Sequence, residues 1–492
     1  MTGPAPRRIE TDICVIGAGA AGLTVAAGAA QMGAGVVLIE AGRMGGECLN
    51  TGCVPSKALL ARAAAMAGTQ GWPALGLSGP PPVVDFRAVK DGVAAVIAAI
   101  TPMDSAARFQ GLGVDVIAAH ARFIDRDRVE AHATDGTITI IRARRFVIAT
   151  GSKPALPPIE GLDRVVAHTN ETIFTDRMQP AHLLVLGGGP VGVEMAQAHI
   201  RLGSAVTLIT AHDLLPTEDP ELVEVIRQRL LAEGVALIDH ARAVVAEPGP
   251  GGDGARLHLA LADGGSRLVV GDQLLVATGR RPVVDGLDLA AAGVMVDDDG
   301  IRVDRSMQTT NRRIFAIGDC AAGIDGAPPQ RFTHMAAHQA GIVLRRALFR
   351  LPARVETRAI PRVIFTDPEL ARVGPTEAEA LARHGQVTVL RWPFAENDRA
   401  RTDGRTEGMV KVLVGRHGRI LGAGIAGVHA GELLGMWELA IRSRLKIGAV
   451  AGLIAAYPTR GEASKRAAGS HFTARLFGPR IRRLVRLLRH LP

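Results

Sequence analysis

TDICVIGAGAAGLTVAAGAAQMGAGVVLIE, residues 11–40, holds every part of a strand, turn, helix and second strand. Ile13 to Ile16 form an unbroken apolar run of strand length, glycines follow at 17, 19 and 22, and after a small-residue stretch a second apolar run ends in Glu40. Gly17 suits a tight turn, Gly19 lets the backbone approach a pyrophosphate at a helix N-terminus, and Gly22 lets helix and strand pack closely. Glu40 can take a ribose hydroxyl pair. A glycine triplet alone signals only a glycine-rich loop; with strand, helix and acid in frame it predicts a dinucleotide site.

The signal repeats in HLLVLGGGPVGVEMAQAHIRLGSAVTLIT, residues 182–210, with Gly187, Gly189 and Gly192 in the same frame. Two adenine dinucleotides suit FAD reduced by a nicotinamide, because hydride passes directly between two rings and each needs its own anchor. At the end of the second unit Thr210, Ala211 and His212 stand where a ribose-binding acid is expected. Its absence removes the repulsion that a 2′-phosphate would feel, yet no arginine follows to fork onto one. The balance tips to NADPH over NADH on that one missing carboxylate.

Between the two units lies GGECLNTGCVPSKALL, residues 45–60, with Cys48 and Cys53 close together. On one turn of helix such a spacing allows a disulfide, and glycines at 45, 46 and 52 let the backbone press against a flat ring. The plain alternative is two unrelated buried thiols, for which neither spacing nor glycines are needed.

This segment resembles the active-site stretch of the pyridine nucleotide-disulfide oxidoreductases, the group of dihydrolipoamide dehydrogenase, glutathione reductase and mercuric reductase. Further matches are ATG at 149–151, ATGRRP at 277–282, FAIGDC at 315–320 and PRVIFTDPELARVG at 361–374. The resemblance implies an α/β chain of two Rossmann-like domains, for FAD and NAD(P), and a C-terminal α+β dimerisation domain. Cys53 would lie against the flavin as the charge-transfer thiolate, and Cys48 would face the substrate as the exchanging thiol. Lys57 would pair with Glu194 near the flavin, and Asp319 would bind its ribityl or phosphate region. Cys14 and Cys320 read as core residues. The cofactor-binding candidates are Gly17, Gly19, Ala20, Ala21, Gly22, Glu40, Gly46, Lys57, Thr150, Gly151, Gly187, Gly189, Val191, Gly192, Glu194, His212, Gly279, Arg280 and Asp319; no protein-held metal is expected. NAD(P)H would reduce the flavin and the flavin the disulfide. The Cys48 thiolate, its pKa lowered by neighbouring charge and helix dipole, would then attack or bind the oxidised substrate.

One departure narrows the chemistry. Family members that act on disulfides or dithiols carry a His-Pro-Thr segment near the C-terminus, with a glutamate five residues after the histidine. Here the chain reads Tyr457, Pro458, Thr459, Arg460, Gly461, Glu462. Glu462 remains, but a phenol with an ordinary pKa near 10 is a poor proton carrier for thiols at about pH 7. Tyrosine here is similar to mercuric reductase, in which soft ions bind thiolates without an acid/base histidine. The paired C-terminal cysteines of that branch are absent, since the end reads FGPRIRRLVRLLRHLP. Tyr457 is therefore either a group near the substrate or a packing residue at a dimer interface, and the acceptor stays open among soft ions such as Hg(II), small disulfides, quinones and dioxygen. An authentic dihydrolipoamide dehydrogenase and, from another class, a flavin-bearing redox sensor or scaffold are the competing readings.

The rest of the chain sets bounds. At 492 residues it exceeds one core. The expected division is an FAD domain at 1–155 resuming at 283–356, an NAD(P) domain at 156–282, an interface domain at 357–475 and a tail at 476–492. Residues 68–83 should be a surface excursion and 247–254 a hairpin loop. A net charge of +9 with 3% aromatics gives no base-stacking surface, so no nucleic-acid partner is expected. Four cysteines, two of them adjacent in function, suit a reducing compartment. No apolar run approaches the roughly 18 residues of a membrane span, and the first strand leaves no room for a signal peptide, so the expected location is cytoplasmic. The resemblance implies a homodimer in which the 457–462 segment of one subunit completes the other's site. The tail places Ile481, Leu484, Val485, Leu488 and Leu491 on one helical face and arginines on the other, for weak contact with an anionic membrane surface or for packing on its own dimer.

Overall fold

Strand Arg7–Ile16 is buried at its apolar end, with Cys14 and Val15 fully covered, because its neighbours on both sides run parallel to it. A parallel strand is sandwiched on both faces, which explains a continuous apolar run in place of alternation. The computed structural model describes residues 6–80, 82–249 and 252–489. It resolves into two units: residues 1–181, 245–257 and 270–355, and residues 182–244, 258–269 and 356–492.

The first unit is built on a sheet whose order runs Val114–Ala118, Val36–Glu40, Arg7–Ile16, Ile138–Ile148, Arg128–His132, His120–Phe123, with Ile314–Ala316 also joined to Ile138–Ile148. The strands around the dinucleotide turn are parallel and the last two antiparallel. Helix Ala20–Gln31 crosses between the first two strands of the predicted unit, and helix Thr333–Ala347 packs on it. Residues 73–80 of the expected surface excursion are exposed; Pro81 lies outside the described residues. Strands Ala241–Pro248 and Ala255–Leu261 flank the expected hairpin loop, of which Pro250 and Gly251 lie outside the described residues.

The second unit opens with parallel strands His182–Leu186, Ala205–Ile209 and Ala236–Ile238, connected through helices Pro190–Arg201 and Pro220–Ala232. It continues as an antiparallel sheet ordered Pro361–Ile364, Glu369–Val373, Ile420–Gly427, Met409–Val414, Thr388–Pro393. Helices Ala430–Arg442 and Glu462–Leu476 cover it, around a core containing the fully buried Trp437 and Phe394. Buried Trp437 keeps its indole N–H satisfied on Ser464 Oγ at 3.1 Å.

Helix Pro479–Leu488 ends the described chain. None of its residues is buried, and Leu484, Val485, Leu487 and Leu488 are exposed. Leu491, expected on the same face, lies outside the described residues. Among the described residues no helix is long and apolar enough to cross a membrane.

Candidate active site

The dinucleotide turn of the first unit is as tight as its glycines imply. Gly17 sits at φ +104°, and a Cβ there would lie 2.4 Å from Ala149 O, while a Cβ on Gly22 would lie 1.8 Å from Gly17 O. Gly19 caps helix Ala20–Gln31 with no side chain, which leaves the first-turn N–H groups of Ala20 and Ala21 facing outward as anion donors. Glu40 folds over the turn, its carboxylate accepting from Ala18 N at 2.5 Å and Gly42 N at 2.7 Å. This cradle, which any Cβ would fill, with an acid at its rim, fits the pyrophosphate and ribose of FAD.

Three predicted segments converge on it. Gly46 presses on the turn so closely that a Cβ would meet Gly19 Cα at 2.6 Å. Thr150 donates to Val283 O at 2.6 Å, and Gly151 O accepts from Val283 N at 3.0 Å. Asp319 accepts from Ser152 Oγ at 2.6 Å. The guanidinium of Arg280 binds Glu47, Ser152 Oγ at 2.8 Å and Asn170 Oδ1 at 3.4 Å.

The cysteines do not share one helical turn. Cys48 lies in the short helix Gly46–Asn50, and Cys53 is the first residue of helix Cys53–Gln70. Thr51 and Gly52 break the run with non-helical angles, so Cys53 sits at the positive end of a long helix. One hydroxyl touches both sulfurs: Thr333 Oγ1 is 3.3 Å from Cys53 Sγ and donates to Cys48 Sγ at 3.4 Å. Thr333 opens helix Thr333–Ala347, 280 residues along the chain from Cys53.

The expected lowering of the Cys48 pKa is reversed. Its hydrogen bond to Cys53 and its burial push the thiol up, against the smaller opposite effect of Thr333. Ionising one of two thiols that share a hydroxyl disfavours ionising the other, and at Cys48 the balance runs towards the protonated form. Cys14 and Cys320 are fully buried, with thiols pushed up by burial, as core residues should be. Lys57 is half-buried one turn beyond Cys53.

The second unit repeats the cradle. Gly187 has φ +123°, and a Cβ on Gly192 would meet Gly187 O at 1.9 Å. Gly189 caps helix Pro190–Arg201, again without a side chain, and Val191 is exposed on its first turn. Gly187 N bonds Ile209 O as Gly17 N bonds Ile39 O, which sets Thr210 in the place of Glu40. This turn fits a second dinucleotide. Glu194 is buried and accepts from Phe365 N at 3.0 Å; His212 is exposed. Tyr457 is 70% exposed and donates to Asp398 Oδ2 at 3.0 Å, which raises its phenol pKa further. Glu462, at the start of helix Glu462–Leu476, binds Arg466 at 2.9 Å. Tyrosine and glutamate thus have separate partners.

The family model described as pyridine nucleotide-disulphide oxidoreductase matches residues 11–341, and that family's dimerisation domain matches residues 360–468. The chain belongs to the pyridine nucleotide-disulphide oxidoreductases. Like its family, this oxidoreductase is an FAD-dependent enzyme that uses NAD(P)H, and it carries the domain through which members dimerise. It is 36% identical to a mercuric reductase of Streptomyces lividans over 93% of the chain and 95% of that protein. It is 33% identical to a dihydrolipoyl dehydrogenase of Bacillus subtilis (strain 168), over 94% and 96%. Among solved structures, LpdA from Mycobacterium tuberculosis aligns with a TM-score of 0.84 at 27% identity, covering 94% of this chain and 99% of that one. The HOCl-induced flavoprotein disulfide reductase RclA from Escherichia coli, as its Cu(II) complex, aligns at 0.83 and 26%, with the same coverage.

Thr333, Glu47, Asn170 and Ser152 belong to this site in the oxidoreductase and were not picked out from sequence. Glu47 lies inside a quoted segment and Ser152 adjoins one, so both were within reach. Thr333 and Asn170 carry no local signal, because only the folding of distant segments brings them in.

Proposed function

We propose that this oxidoreductase passes electrons from NADPH, through FAD and the Cys48–Cys53 pair, to a small acceptor bound by sulfur, with a soft metal ion of the Hg(II) type as the leading class. The observation that carries the reading is the pair itself: two sulfurs gathered on one hydroxyl at a helix N-terminus, with no acid/base histidine at 457. When bound, FAD supplies the two-electron relay between nicotinamide and disulfide. In this reading Gly17, Gly19, Gly22 and Glu40 hold its adenylate half, Asp319 and Gly46 lie along its middle, and Lys57 lies near its ring. Cys48, which keeps its proton, is the exchanging thiol; Cys53 takes the negative charge.

Soft cations bind thiolates and displace the thiol proton to water without an acid/base histidine, so the tyrosine costs that chemistry nothing. Tyr457 of a partner subunit would border the acceptor in the homodimer. The likeness to mercuric reductases, and to a flavoprotein disulfide reductase solved with Cu(II), supports a metal-ion acceptor. The dihydrolipoyl dehydrogenases among its relatives keep the second reading in play. Thr210, in place of a carboxylate, favours NADPH, with His212 beside the 2′-position.

A steady-state panel decides between them. NADPH oxidation that depends on Hg(II) with excess thiol, and that changes less than about threefold in Y457F, is the expected result. Rapid NADH formation from dihydrolipoamide and NAD⁺ would establish the dehydrogenase instead. A larger kcat/KM for NADH than for NADPH would overturn the nucleotide assignment.

A further inference from the structure

Glu47 immediately precedes Cys48 on helix Gly46–Asn50 and has no part in the chemistry so far. Its carboxylate is held by the Arg280 guanidinium and by Asn170 Nδ2 at 2.8 Å. Asn170 also binds Thr51 O at 3.1 Å, which fixes the break between the two cysteine helices to the same cluster. Arg280 serves a second carboxylate as well: its Nε lies 3.9 Å from Asp319 Oδ2 and 2.8 Å from Ser152 Oγ, which donates to Asp319. One guanidinium therefore faces two carboxylates beside a redox-active dithiol. With both acids ionised the cluster carries one net negative charge before any sulfur ionises.

We propose that Glu47 is the redox-linked proton acceptor of this site, taking a proton from the medium when the Cys48–Cys53 disulfide is reduced and releasing it when the disulfide re-forms. This rests on the reading that the two cysteines cycle between disulfide and dithiol. NAD(P)H brings two electrons and one proton. The S–S bond breaks, an S–H forms on Cys48, Cys53 is left as a thiolate, and NAD(P)⁺ departs. No solvent proton is consumed so far, but a new negative charge stands in the cluster. Protonation of Glu47 cancels it. On reoxidation the electron pair leaves for the acceptor, the S–S bond closes, and the protons on Cys48 and Glu47 are both released. An acceptor reduced with two protons, such as a disulfide or quinone, would draw on both, in a chain that has no histidine at 457.

The electrostatics agree in sign. Burial is the main cause that pushes Glu47 up to about 7; Arg280 opposes it, and Asp319 and Cys53 reinforce it. Arg280, Asp319 and Cys53 are the charged groups facing Glu47; Asn170 and Ser152 are neutral. The Cys53 contribution exists only while that sulfur can carry charge, so the carboxyl binds its proton more tightly in the reduced protein. Uptake on reduction is then greatest around neutral pH.

The test uses the FAD-loaded enzyme, reduced anaerobically with one equivalent of NADPH in weak buffer containing a pH-indicator dye, with new thiols counted by alkylation after a denaturing quench. Wild type is expected to take up a substantial fraction of a proton per disulfide near pH 7, falling away on either side. Glu47→Gln should gain the same thiols with uptake reduced at least severalfold. Equal uptake by E47Q overturns the assignment to Glu47. Thiols without any uptake in wild type overturn the inference while leaving the cycling pair intact, and no new thiols overturn the cycling pair itself. Should E47Q fail to retain flavin, the wild-type profile decides: no uptake anywhere between about pH 6 and 8 overturns the proposal.

Discussion

The most economical contact in the site is Thr333, a single hydroxyl within hydrogen-bonding reach of both sulfurs. It holds the Cys48 thiol below where burial and Cys53 would otherwise set it. Thr333→Val keeps the branched shape and removes the donor. Alkylation of Cys48 in the reduced enzyme should then shift to higher pH, with a rate roughly three- to tenfold lower near neutrality, because only the thiolate reacts. An unchanged pH–rate profile would show that the hydroxyl does no more than fill space. Residue identity alone showed that two thiols were near each other, but not which one keeps the proton. That depends on a hydroxyl from another helix and on how deeply each sulfur is buried.

Among the elements, the two dinucleotide turns were legible throughout, since each rests on contacts between residues five apart. Gly22 and Gly192 both lie where a Cβ would be within 2 Å of the carbonyl oxygen opening the turn, 1.8 Å and 1.9 Å away. Gly22→Ala should therefore release FAD and destabilise the protein by about 1–3 kcal/mol, read from flavin absorbance after gel filtration and from thermal unfolding. Gly192→Ala should leave the flavin bound and raise the nicotinamide KM. Loss of flavin from G192A would contradict the division of the two turns between the two cofactors. The cysteine segment was less legible. Its spacing predicts one helical turn, but Gly52, with backbone angles outside the helical region, separates two helices and gives Cys53 an N-terminus of its own.

Over the whole molecule, stability in the second unit leans on a buried charge cluster with no sequence signature. Lys411 Nζ lies 2.8 Å from each of Asp219, Glu221 and Glu377, and Arg391 supports the last two. Lys411→Met strands three carboxylates around an apolar side chain and should cost roughly 3 kcal/mol at neutral pH. The sign of the pH effect follows from Glu221, whose carboxyl is held below its usual range by hydrogen bonds from Arg391 and then Lys411. A depressed carboxylate contributes stability above its unfolded pKa, and that contribution is lost as pH falls through the folded value. Wild type should weaken in acid, and the gap between wild type and K411M should narrow, because protonation relieves the stranded charges. Thermal unfolding at pH 7 and about pH 4 checks this; a gap that widens in acid would be the wrong sign.

Residue order alone was enough for the two nucleotide turns, the nearness of two cysteines and the family, because each is written in short runs of sequence. The raised thiol of Cys48, the hydroxyl of Thr333 and the joining of Glu47, Arg280 and Asp319 into one charged cluster could not be read that way. Those features join segments as far as 285 residues apart, and burial and Coulomb interactions depend on distances that exist only once the chain has folded.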